Sequence, residues 1–105
     1  MTTRNALADL LATFEMTEKE QRKLAVWAKG HIIPGYDSAI WRRDDYGRTI
    51  RYSDHGDRNS SHGWEQDHHP VPAALGGRDD VANLRPLHCI NNASLGGLLG
   101  ALLKG

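Results

Sequence analysis

The sequence predicts an α+β domain, with a helical hairpin at the N-terminus followed by a small core of strand, long turn, strand and helix. Two observations predict it. Apolar residues recur at helical spacing up to about position 28, and beyond position 30 short apolar runs are cut by Pro and Gly turns.

Leu7, Leu10, Leu11 and Phe14 recur at helical spacing, so residues 3–15 read as a first helix. Thr17 followed by Glu20 is a capping box for a second, in which Leu24, Trp27 and Ala28 form the apolar face and Gly30 caps the C-terminus. The hairpin reads as a scaffold covering one side of the domain, with a dimerisation or partner surface as its alternative. His31 to Gly35 leaves the helix, with Pro34-Gly35 marking a turn. Ala39 to Arg43 and Thr49 to Tyr52 are strand candidates joined by the turn Asp44 to Gly47. Asp54 to Gly63 is polar and reads as a loop.

Gly63 to His68 reads as a strand with Trp64 in the core, and Pro70 to Asp80 as a long connection. Leu84 to Leu87 can form the returning strand, which Pro86 makes a short or an edge strand because it lacks a ladder donor. A helix begins near Ile90. The Gly- and Leu-rich tail from Leu95 is weakened as a helix by about 1 kcal/mol per glycine relative to alanine. The chain therefore divides into a scaffold over 1–30, a core over 31–96 and an apolar tail over 97–105, all in one compact domain.

Composition bounds the function. With 39% hydrophobic and 25% charged residues the 105-residue chain reads as globular and not disordered. One cysteine, Cys89, excludes an internal disulfide and a Cys-rich zinc site; it reads as a small packed residue. Asp9, Glu15 and Glu18 break any leader-like apolar run, and no segment reaches membrane-spanning length, so a cytoplasmic protein is expected. Thirteen basic residues balance thirteen acidic ones, which by itself argues against a nucleic-acid partner. Against that, Arg42, Arg43, Arg48, Arg51 and Arg58 cluster in one stretch, interleaved with aspartates.

The chemistry is concentrated between Gly63 and Gly97. Asp67 stands beside His68 and His69, and Asn83, His88, Asn91 and Asn92 follow. Carboxylate and amide oxygen suit a hard divalent ion, and imidazole suits transition metals. Histidine is also the natural general base near neutral pH. Neighbouring strand residues point to opposite faces, so Asp67 and His68 can serve one site only at a frayed strand end beside Pro70. His88 and Asn92, four apart, share a face if a helix starts near His88.

The stretch GWEQDHHP…NLRPLHCINN resembles the HNH endonuclease family, the ββα-metal nucleases. The segment WRRDDYGRTI, Trp41 to Ile50, is similar to what precedes the motif in a cysteine-free branch of that family. The resemblance covers about residues 31–96 and leaves the N-terminal helices unexplained. It implies a metal-dependent endonuclease that cleaves DNA phosphodiester bonds by nicking or with relaxed specificity, RNA remaining open as a substrate. His68 would be the general base, and Asn83 would hold the turn and orient His68. Asp67, Asn92 and His88 would be ligands of one divalent ion, Mg²⁺ by default, with Mn²⁺, Ni²⁺ and Zn²⁺ as alternatives favoured by His88. Arg48, Arg58 and Arg85 would contact phosphate. His69 and Asn91 would stand one step behind the ligands, His69 also being open to a packed or ligating role.

Two departures from the family pattern stand out. The Cys-x-x-Cys pairs that bind structural zinc in many members are absent, and Leu95 occupies the place of a phosphate-contacting lysine. The resemblance also points to a bacterial or phage source and leaves room for a homodimer or a protein partner. The alternative is a non-catalytic module of the same fold that binds DNA or a protein.

Overall fold

In a computed structural model the chain is a small mixed α+β domain in which helices toward the two ends flank two antiparallel sheets. The structure describes residues 6–8 and 16–104, and residues 6–8 are helical. Most of the helix expected over 3–15 lies outside the described residues. Among them, no helix is long and apolar enough to cross a membrane.

Helix α1 spans Glu18–Trp27, and Thr17 caps it by accepting a hydrogen bond from the Glu20 N–H at 3.2 Å. Its buried residues are Val26 and Trp27, while Leu24 is 41% exposed, so the apolar face is rotated from the Leu24–Trp27–Ala28 face expected. Gly30 is not the cap, which falls at Ala28. Gly30 instead lets the chain pass close to Arg42, whose Cδ would lie 3.1 Å from an added Cβ.

Strands β1 (His31–Ile32), β2 (Trp41–Arg43) and β3 (Thr49–Arg51) form an antiparallel meander. β1 was not expected, because two residues are too short to carry a period. The β2–β3 turn is closed by Gly47 N–H to the Asp44 carbonyl at 3.0 Å, with Gly47 at φ 85°. That left-handed position is the reason a glycine ends the turn.

The second sheet pairs β4 (Trp64–His68) with β5 (Leu84–His88), Trp64 opposite His88 and His68 opposite Leu84. Helix α2, Cys89–Lys104, follows β5 directly and continues through the glycine-rich segment. Trp64 and Leu84 lie on one face of the hairpin and join Val26, Trp27 and Ile50 in the core. The Trp27 and Trp64 ring centroids are 5.1 Å apart, and the two indole N–H groups donate to the carbonyls of Ser38 and Tyr52. These paired rings let one small core join α1 to both sheets; a fully buried large side chain contributes about 1.5–3 kcal/mol. Cys89 is buried, as expected.

Candidate functional site

Period-two alternation places Glu65 and Asp67 on the face of β4 opposite Trp64 and His68. α2 covers that polar face, because the Asn92 Nδ2 donates to the Glu65 Oε1 at 2.9 Å. The β2–β3 turn borders it too, since Arg85 of β5 donates to Asp67 Oδ2 at 2.9 Å and to Asp45 Oδ2 at 3.2 Å. Arg85 is largely buried, which disfavours its charge; Asp67, Tyr46 and Asp45 outweigh that and raise its pKa above the ordinary arginine value. Asp45 is also held by His31 at 2.8 Å. Burial works against the Asp45 carboxylate, but the bonds from His31 and Arg85 prevail and lower its pKa.

Asp67 and Asn92 thus stand on one side of the hairpin. Among the described residues, Oδ1 of Asp67 and Oδ1 of Asn92 accept no hydrogen bond, because the contacts above use Oδ2 and Nδ2. Glu65, between them in the cluster, is committed: Arg58 grips it with two parallel bonds of 3.0 Å. The Arg58 contact holds the Glu65 pKa below the usual carboxylate value.

His68 faces the other way. It does not lie at a frayed end but in register with Leu84 at the last rung of the ladder, so it does not share the face of Asp67. Its Nε2 lies 2.6 Å from Oδ1 of Asp79, in the connection between β4 and β5, and this contact lowers the Asp79 pKa. A carboxylate there stabilises the Nε2–H tautomer, which leaves the lone pair on Nδ1.

Asn83 ties the connection together. Its Oδ1 accepts from the Val71 N–H at 3.0 Å, and its Nδ2 donates to the carbonyls of Val71 and Arg78 at 2.9 and 3.1 Å. Its backbone carbonyl accepts from the His69 N–H at 2.8 Å, so Asn83 reaches His68 only through the backbone, and Asp79 is the side chain that orients the ring. The His69 side chain is exposed, which leaves no packed role for it.

His88 differs from its expected place among metal ligands. It is 3% exposed, its Nδ1 accepts from the Ile90 N–H at 3.1 Å, and its Nε2 lies 2.8 Å from the Ser61 carbonyl. Both nitrogens are therefore used, and neither offers a free lone pair. It also precedes α2, which begins at Cys89, so it shares no helical face with Asn92.

The three arginines expected to grip phosphate are engaged internally. Arg58 holds Glu65, Arg85 holds Asp67 and Asp45, and the Nε of Arg48 donates to Oδ1 of Asn91 at 3.0 Å. Asn91 in turn donates to Oδ2 of Asp44 at 2.8 Å. Asp44, which lies outside the motif, is 1% exposed and accepts from the N–H groups of Tyr46, Arg48 and His88 as well. It links the β2–β3 turn to the junction of β5 and α2. Glu65 was legible two places before Asp67 on the same strand face; Asp44 and Asp79 carried no comparable signal.

No three His, Cys, Asp or Glu side chains among the described residues come together as a metal-binding group. Compared with family models, with curated proteins and with solved structures, the chain gives no match.

Proposed function

We propose that residues 31–96 form a ββα-metal core of the HNH type and that the protein hydrolyses DNA phosphodiester bonds. The observation that carries this reading is the unit of β4, Asn83-tied connection, β5 and α2. It sets Asp67 and His68 at the end of a hairpin and returns Asn92 to the same strand.

The donor chemistry fits a hard ion. Asp67 Oδ1 and Asn92 Oδ1 are the two oxygens that would hold it, and Mg²⁺ commonly takes few protein ligands and keeps several waters. His88 does not belong to this set; it braces the β5–α2 junction. A bound divalent ion would polarise the scissile phosphate and stabilise the leaving 3′ oxygen. His68 projects from the opposite face of the same hairpin end, so a phosphate would have to reach around that end for His68 to accept the proton of the attacking water at Nδ1, with Asp79 holding the ring and stabilising the imidazolium that forms. Arg85, already facing Asp67, could share a phosphate oxygen with it.

Supercoiled plasmid with Mg²⁺ or Mn²⁺ tests the reading. Nicking that EDTA stops and His68→Ala abolishes is the expected outcome. A second reading, a non-catalytic module of the same shape, is favoured by the Arg85–Asp67 ion pair, which occupies a carboxylate that an active site would keep available. Absence of nicking by folded protein at low salt with either ion would select it.

A further inference from the structure

The outer face of the β1–β3 sheet carries a second group of residues suited to nucleic acid. Trp41 and Arg43 alternate onto one face of β2, and their cross-strand partners are Arg51 and Thr49. A groove opens there, lined by Ile33, Tyr36, Trp41, Arg43, Thr49 and His62. The His62 ring meets Trp41 edge to face at 5.1 Å, and the Arg51 guanidinium lies 5.5 Å from the Trp41 ring centroid.

Charge separates these arginines from three of the others. Arg43 and Arg51 enter no ion pair among the described residues, whereas Arg58, Arg78 and Arg85 each hold a carboxylate. Both are exposed on the same sheet face as the groove. Nearby Asp45 is already held by His31 and Arg85, which offsets its repulsion of an anion. An exposed Tyr36 ring and a half-buried Trp41 ring beside unpaired guanidinium groups are the two parts of a single-strand binding surface. The rings stack on bases, and the cations follow the phosphates. A duplex keeps its base faces stacked inside and cannot use the rings.

We propose that this face binds unpaired DNA, with a base in the groove beside Tyr36 and Trp41 and the flanking phosphates on Arg43 and Arg51. The choice of DNA rests on the nuclease reading; the contact chemistry does not.

Binding of fluorescein-labelled dT16 to the full chain in EDTA, by anisotropy at several salt concentrations, tests the surface without any cleavage. Wild type should bind dT16 more tightly than a 16-base-pair duplex and rU16, with quenching of Trp41, since Trp27 and Trp64 are buried. Trp41→Ala should raise the Kd about tenfold. Arg43→Gln and Arg51→Gln, both at exposed positions that leave the fold intact, should each lower the slope of log K against log salt by about 0.7. His68→Ala should bind as wild type does. Nicking without dT16 binding, or dT16 binding unchanged in both arginine variants, would overturn this surface and leave the nuclease reading standing. Arginine-dependent binding without nicking would do the reverse. An rU16 complex tighter than the dT16 complex would overturn the assignment to DNA.

Discussion

Asp44→Asn should destabilise the protein far more than its isosteric change suggests. The Asp44 carboxylate is 1% exposed and accepts four hydrogen bonds. Oδ1 takes the N–H groups of Tyr46 and Arg48 at 3.0 and 2.9 Å; Oδ2 takes the His88 N–H at 3.0 Å and Asn91 Nδ2 at 2.8 Å. An asparagine has one acceptor oxygen. Aimed at the turn, it turns its NH₂ toward two donors on β5 and α2; reversed, it faces the two turn donors. Either way two bonds to a charged acceptor are lost, each worth about 1.5–3 kcal/mol, and donors are left facing donors. The losses are not additive, and a total of about 3 kcal/mol is expected. For a domain of this size that lowers Tm by roughly 15 °C. Urea unfolding followed by tryptophan fluorescence measures it. A change below about 0.5 kcal/mol for Asp44→Asn, within the range of surface substitutions, would refute the account of Asp44 as the link between turn and helix.

Other consequences can be measured on the same protein. Gly63→Ala should cost about 3 kcal/mol in chemical denaturation, because the new Cβ would lie 1.9 Å from the Asp57 carbonyl oxygen, which is backbone and cannot swing away. The pH dependence of stability should carry a contribution from His55, whose pKa is lowered by burial and then by Lys23. The unfolded chain therefore binds the proton first, so this contribution is full above about pH 6.5 and is lost as pH falls toward the folded value. Urea midpoints at pH 7.5 and 5.5 should converge in His55→Gln relative to wild type; an unchanged gap would remove His55 from the account. Asn83→Ala removes three hydrogen bonds from the β4–β5 connection, at a cost of about 2 kcal/mol. Under the proposed nuclease reading it should also lower kcat for nicking more than it raises KM, since Asp79 on that connection sets the His68 ring.

Local chemistry was the legible part of the fold. The Thr17 cap, the Asp44–Gly47 turn and the two strands around the long connection are written in adjacent residues, and each falls within a residue or two of its expected place. What depends on distant partners was not legible. Helical spacing identified α1 and the burial of Trp27, but not that Val26 joins it in place of Leu24 and Ala28, a choice made by the packing of Trp64 and Ile50. The internal partners of the expected phosphate arginines were hidden for a similar reason. Arg85 finds Asp67 and Asp45 at separations of 18 and 40 residues, and Arg48 finds Asn91 across 43. Motif spacing places a residue in a pattern, but it does not say whether another part of the fold will use its charge. His88 makes the same point, because the Ser61 carbonyl that occupies it comes from a loop outside the motif.

Arg85 is where the catalytic and non-catalytic readings part. It holds Oδ2 of Asp67, so a divalent ion at Asp67 must share that carboxylate with a guanidinium. Two cations on one carboxylate repel, and Arg85 should weaken metal binding while supplying a contact for phosphate. Arg85→Gln should then be less stable than wild type without metal, because Asp67 and Asp45 lose their shared partner. With metal, the variant should recover more than wild type does. If removing Arg85 tightens Mn²⁺ binding tenfold, saturating Mn²⁺ adds about 1.4 kcal/mol more to the variant, a further rise in Tm of roughly 6 °C. Thermal melting with and without Mn²⁺ reads this directly, and Asp67→Asn in the same background should erase it. An equal Mn²⁺ shift in wild type and Arg85→Gln would mean that the ion does not bind at Asp67. The Arg85–Asp67 pair would then be a structural cross-strand clasp between β4 and β5, whatever the nicking assay shows.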